Sequence, residues 1–181
     1  MTEETDRASR LLERHPRAGW AEKAGPLARY WLERHAGFRQ LAGALDRATA
    51  ELQAGRLSAA EFRPWFAPRL QLLLTHLDGH HEVEDYYYFP RLRAAEPGVA
   101  PLLDALAADH EALNAAIAEA VEAANALLGA ASGTEGERAA GARYADASGR
   151  LFALLLRHLD AEEDLVIPLL LERGEGALGV G

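Results

Sequence analysis

The pattern His-x-x-x-Glu, followed six residues later by proline, occurs twice in this chain of 181 residues and limits its fold more than any other feature. The first copy is His80-His81-Glu82-Val83-Glu84 with Phe89-Pro90 downstream. The second is His158-Leu159-Asp160-Ala161-Glu162 with Ile167-Pro168. Each is preceded by one more histidine on an earlier apolar stretch, His35 and His110. On an α-helix, positions i and i+4 lie about 40° apart around the axis and about 6 Å along it. Each His–Glu pair therefore projects side by side from one helix. The intervals His35–His80 and His110–His158 are 45 and 48 residues, so the chain reads as two copies of one helical hairpin, related by an approximate two-fold axis.

The surrounding sequence supports helices of the required length. Pro26 opens a predicted helix to Ala54, with Gly55 at its end and Leu27, Trp31, His35, Phe38, Leu41 and Leu45 on one stripe. Ser58-Ala59-Ala60-Glu61 has the form of a capping box. The second helix passes His80 and Glu84 to Ala95, and Pro64 and Pro68 predict a kinked start or two pieces. The third spans 99–128 through His110, residues 129–136 form a small-residue loop, and the fourth covers 137–173. The expectation is an all-α, up-down-up-down four-helix bundle over 26–173, with an N-terminal extension at 1–25 and a frayed, glycine-rich tail at 174–181.

Composition narrows the chemistry. The apolar residues are mostly Ala and Leu, which favours helix over strand. There is no cysteine, which excludes disulfides, iron–sulfur clusters and thiolate zinc sites. A net charge of −9 argues against nucleic acid as a partner. No apolar run suits a signal peptide or a membrane span, so the expected location is the cytoplasm and no membrane partner is expected.

A lone histidine on an apolar stripe is more often a satisfied core residue than a ligand. Six such groups together are different. Burying His35, His80, Glu84, His110, His158 and Glu162 in one core without a cation would cost several kcal/mol per unpaired charge. Imidazole and carboxylate donors without thiolate suit iron or manganese, and zinc less exclusively. His76, one turn before His80, and His81, turned about 100° from it, are candidate further ligands or supporting groups. Asn114 is a candidate polar neighbour of the site. Tyr87, three residues after Glu84, is the candidate catalytic side chain, weighed against simple core packing. An acid among Asp78, Asp85, Asp109, Asp160 and Glu163 would orient a ligand imidazole through its outer N–H. The Glu-x-x-His pattern of ferritin-like di-iron bundles and the zincin HExxH are both absent.

With these residues in place, the chain resembles the hemerythrin-like, or HHE cation-binding, family over about 26–173, in its bacterial H-HxxxE-H-HxxxE form. The resemblance implies a non-heme, oxo- or hydroxo-bridged centre of two iron ions, with manganese or zinc as lesser alternatives. His35, His80, His110 and His158 would be terminal ligands, and Glu84 and Glu162 the carboxylates. The chain departs from the oxygen-carrying members, which have a second histidine where Asn114 stands and an aspartate five residues after the last helix histidine. Relatives of this kind imply O2, peroxide or NO as the small ligand, in sensing or detoxification. The alternatives are a catalase-like enzyme or oxygenase, with a pocket lined by Trp65, Phe66 and Tyr86–Tyr88, and an iron-responsive binding module. A monomer or homodimer is expected.

Overall fold

The computed structural model describes residues 3–180; Met1, Thr2 and Gly181, which fall in the expected extension and tail, lie outside the described residues. The described chain is an all-α helical bundle. Its helices are α1 (Glu3–Arg14), α2 (Trp20–Lys23), α3 (Pro26–Gln53), α4 (Ala59–Val83), α5 (Phe89–Ala95), α6 (Ala100–Gly129) and α7 (Glu135–Arg173). A π-helical segment, Glu84–Tyr88, joins α4 to α5.

Local chemistry sets the helix ends. Gly55 adopts φ +68, the left-handed conformation that lets the chain leave α3 without a Cβ clash. Ser58 and Glu61 form the expected capping box at α4. The Glu61 amide donates to Ser58 Oγ at 3.3 Å, and the Ser58 amide donates to Glu61 Oε2 at 3.1 Å. Thr134 caps α7 through a 3.1 Å bond from the Glu137 amide. Pro64 and Pro68 do not split α4, which is one helix from Ala59 to Val83. Both prolines lie on its exposed face, where water can satisfy the carbonyls they leave unpaired.

The chain divides into two compact units. The second, Gly37–Asp78 with Glu111–Leu156, is built on a stack of fully buried rings. Phe62 lies parallel to Phe66 at 4.5 Å, and Tyr144 tilts against Phe66 at 5.0 Å. The buried leucines Leu45, Leu73, Leu127 and Leu151 belong to the same unit. Each is worth about 1.5–3 kcal/mol of burial.

The first unit comprises Met1–Ala36, Gly79–His110 and Arg157–Gly181. Its apolar cluster joins Trp20, Leu27, Trp31, Phe89, Leu92, Leu103, Val166 and Ile167. The segment after α7, expected to fray, is instead part of this cluster through Leu178 and Val180. Its Glu175 Oε1 accepts the amides of Leu27 and Ala28 at 2.9 and 3.1 Å, satisfying the first turn of α3. A glycine-rich composition misled here because two apolar residues and one capping carboxylate are enough to tie the chain down. The N-terminal segment is fixed by Trp20, buried with its Nε1–H on the His15 carbonyl at 2.7 Å, and by Arg17, which bonds Asp164 at 2.7 Å.

Candidate metal centre

Every one of the six ligand candidates falls in the first unit. His35 comes from α3, His80 from α4, Glu84 from the first position of the π segment, His110 from α6, and His158 and Glu162 from α7. All are buried except His80, which is nearly so. Their donor atoms form two groups, each within 4.8 Å: His35, His80, Glu84 and Glu162 in one, and His81, Glu84, His110 and His158 in the other. Glu84 belongs to both.

The imidazoles meet in pairs by Nε2, His35 with His80 at 2.9 Å and His110 with His158 at 3.1 Å. Two nitrogen lone pairs at this distance repel unless a proton or a cation is shared between them. The carboxylates face both pairs. Glu84 Oε1 is 2.8 Å from His80 Nε2, and its Oε2 is 3.6 Å from His110 Nε2. Glu162 Oε2 is 3.4 Å from His35 Nε2 and 3.5 Å from His158 Nε2. Apart from these imidazole contacts, both oxygens of each glutamate are buried without a hydrogen-bond partner, and neither ring nitrogen of His81 has one. Buried polar atoms left in this state are costly, and a set of five imidazoles and two carboxylates converging on shared points is what a pair of divalent cations would satisfy.

Acids stand behind the imidazoles. His35 Nδ1 donates to Glu163 Oε1 at 2.9 Å, and His110 Nδ1 donates to Asp85 Oδ1 at 3.0 Å. Asp109 Oδ2 lies 3.8 Å from His158 Nδ1. A proton held on Nδ1 leaves Nε2 as the lone-pair donor, which is the nitrogen that points into the groups. Glu163 is itself steadied by Arg17 at 3.4 Å.

The electrostatics favour ligands over charged bases. Burial pushes His80 down to about 3 and His81 down to about 2. His158 is lowered for the same reason. His35 moves the other way: burial opposes its charge, but its bonds to Glu162 and Glu163 outweigh that. The glutamates divide. Burial and the charge of Glu162 push Glu84 well above the usual carboxylate range. Burial acts on Glu162 too, but the hydrogen bond and charge of His35, with the charges of His158 and His80, hold it below that range. Two carboxyls this close do not both ionise without cations.

The π segment explains what helical spacing did not predict. A π turn holds an extra residue, so each residue advances less around the axis than in an α-helix. Asp85, the next residue of this turn after Glu84, reaches His110. Tyr87 falls further from it, and instead of lying above the site it is 42% exposed, with the Arg91 guanidinium 3.6 Å over its ring. His81 is buried, stacked on His110 at 4.0 Å and 13°, and joins the second group. His76 and Asn114 are exposed and belong to neither group. Of the suggested pocket residues, Phe66 is fully buried on Phe62, whereas Tyr86 and Tyr87 are exposed.

Among the described residues no helix is long and apolar enough to cross a membrane. Neither the curated proteins nor the solved structures contain a significant match to this sequence. The family model for the hemerythrin HHE cation-binding domain matches residues 27–170, a span that contains all of the ligand candidates. The chain belongs to the hemerythrin HHE cation-binding family.

Proposed function

We propose that the chain is a non-heme di-iron protein that reacts with O2, peroxide or NO. The observation that carries this reading is the membership of Glu84 in both donor groups, which gives two cation positions sharing one carboxylate. The all-nitrogen and oxygen donor set suits iron, with manganese and zinc less favoured.

A bound pair of iron ions supplies one-electron redox steps and coordination positions open to a small ligand. The residues of the chain do the rest. His35 and His80 with Glu162 would hold one position, and His81, His110 and His158 the other, with Glu84 common to both. Glu163 and Asp85 keep the protons of His35 and His110 on Nδ1, so that Nε2 stays a donor. Phe89 stacks on His110 at 5.8 Å, and Trp31 stands edge-on to His35 and His80 at 6.5 and 6.2 Å. These rings exclude bulk water from the imidazoles. Burial and the charge of Glu162 hold the Glu84 carboxyl well above its usual range, so cation entry would be coupled to proton release there.

The test is anaerobic loading with ferrous iron, metal analysis, and absorption spectra before and after air, peroxide or NO. The expected outcome is two iron ions per chain and an oxo-bridged ferric spectrum after oxidation. A single zinc ion per chain, with no iron taken up, would defeat the proposal.

A further inference from the structure

Four aromatic and imidazole rings lead in sequence from the donor groups to the surface. The His80 ring is 6.2 Å from the Trp31 ring, Trp31 is 5.0 Å from Tyr88, and Tyr88 is 5.1 Å from Tyr87. Trp31 is 2% exposed, Tyr88 is half-buried, and Tyr87 is 42% exposed. All lie in the first compact unit. Burying one indole is ordinary core packing. A continuous file of the two most readily oxidised aromatic side chains, with its inner end beside a ligand imidazole and its outer end in water, is a route for charge.

Two details give the route a direction. The Trp31 Nε1–H is buried with no hydrogen-bond acceptor. An indole that loses an electron there cannot shed its proton, so it stays a strongly oxidising radical cation and does not trap the charge. The tyrosines have access to water, which can take the phenolic proton as the electron leaves. Oxidation therefore runs downhill from Trp31 to the tyrosine pair, of which Tyr87 is the more exposed. At the surface, the Arg91 guanidinium covers one face of Tyr87 and its Nη1 donates to the Tyr87 carbonyl at 2.9 Å. The cation fixes the ring at the surface and favours electron-rich or anionic donors beside it.

We propose that Trp31, Tyr88 and Tyr87 form a relay that carries oxidising equivalents outward from the metal centre to small hydrogen-atom donors, enediols and phenols, at the Tyr87 surface. The proposal rests on the redox-active di-iron reading above. A bound iron pair would supply two electrons to peroxide, whose O–O bond breaks as two protons are taken up and both oxygens leave as water. Each of two donor molecules then gives one electron to Tyr87 and one proton to solvent. The electrons pass through Tyr88 and Trp31 to restore the resting centre. The sum is H2O2 + 2 AH → 2 H2O + 2 A•, which balances in atoms and electrons.

The experiment uses iron-loaded, air-oxidised protein mixed with a single equivalent of peroxide, freeze-quenched and read by electron paramagnetic resonance, with ascorbate added in a second mixing step. The wild type is expected to show a tyrosyl radical that ascorbate removes. Trp31→Phe and Tyr88→Phe should lose most of that signal at unchanged iron content. Tyr87→Phe should keep a radical, now on Tyr88, that ascorbate removes more slowly. Tyr86→Phe, altering a neighbour 81% exposed and outside the file, should behave as wild type. Tyr88→Phe keeps the ring and guards against a folding defect in Trp31→Phe. A centre that peroxide oxidises without any tyrosyl radical, or a radical yield untouched by Tyr88→Phe, overturns the relay alone. An iron-loaded protein whose spectrum peroxide leaves unchanged overturns the relay alone, whereas a protein that takes up no iron overturns the di-iron reading and the relay with it.

Discussion

Glu163 Oε1 accepts a hydrogen bond from His35 Nδ1 at 2.9 Å, on the side of the imidazole away from the donor group. The bond fixes the tautomer and the ring plane of His35, and Arg17 holds the other oxygen of the same carboxylate. Outer partners of this kind typically contribute about 10–100-fold to metal affinity. Glu163→Ala should weaken metal binding by about that factor, measured by chelator competition, with the number of ions per chain unchanged at saturation. Arg17→Ala should move affinity in the same direction by less, because the carboxylate remains.

His81 and Glu84 should separate by stoichiometry. His81 belongs only to the second donor group, so His81→Ala should leave the first group loaded and lower the content toward one ion per chain. Glu84→Ala removes a ligand from both groups and should lose most of both ions. His76→Ala, at an exposed position, should retain wild-type metal content. Metal analysis after gel filtration reads all three.

Acid should destabilise the metal-free protein. His80 and His81 are held neutral in the fold, down to about 3 and about 2, while in the unfolded chain they take protons near the ordinary imidazole value of 6.5. Below that value the unfolded state binds more protons, so each imidazole removes about 1.4 kcal/mol of stability per pH unit. His158 adds to this loss. Glu84, raised in the fold, acts in the opposite sense above 4.5, because the folded state is then the one that keeps the proton. His35, also raised in the fold, opposes the loss as Glu84 does, but three lowered imidazoles against these two leave a net loss as pH falls from 6.5 toward 5. Urea midpoints across that range check it; a flat profile would contradict the assignment of neutral His80 and His81.

In the second unit, Phe66 is fully buried in the ring stack with Phe62 and Tyr144. Phe66→Ala should cost about 3–5 kcal/mol, read as a lowered urea midpoint with little change in the slope of the transition.

The helices, the cap at Ser58, and the convergence of six ligand candidates were legible because each depends on local spacing or on one-turn periodicity. The π turn at Glu84–Tyr88 was not. Pro90 and Pro168 stand at the same distance from their histidines, yet the second copy lies in an unbroken α-helix, so spacing carried no sign of the difference. The misjudged side chain, Tyr87 facing outward, follows from that one wide turn, while Asp85, one of the acids expected behind a ligand imidazole, reaches His110 from it. His81 was legible as a candidate further ligand turned about 100° from His80, but not as the one of the two extra histidines that joins a donor group. Its burial against His110 is a long-range packing fact that no window of sequence contains. The packed end of the chain has the same character, since Glu175 finds the amides of Leu27 and Ala28 nearly the whole chain away.

The shared glutamate has a thermodynamic consequence. An ion entering either donor group must displace the Glu84 proton and orient its carboxylate. The second ion then meets a ligand already ionised and already aimed, and is spared that cost. Loading should therefore be cooperative: at half-saturating metal, empty and fully loaded chains should outnumber singly loaded ones, as native mass spectrometry would show.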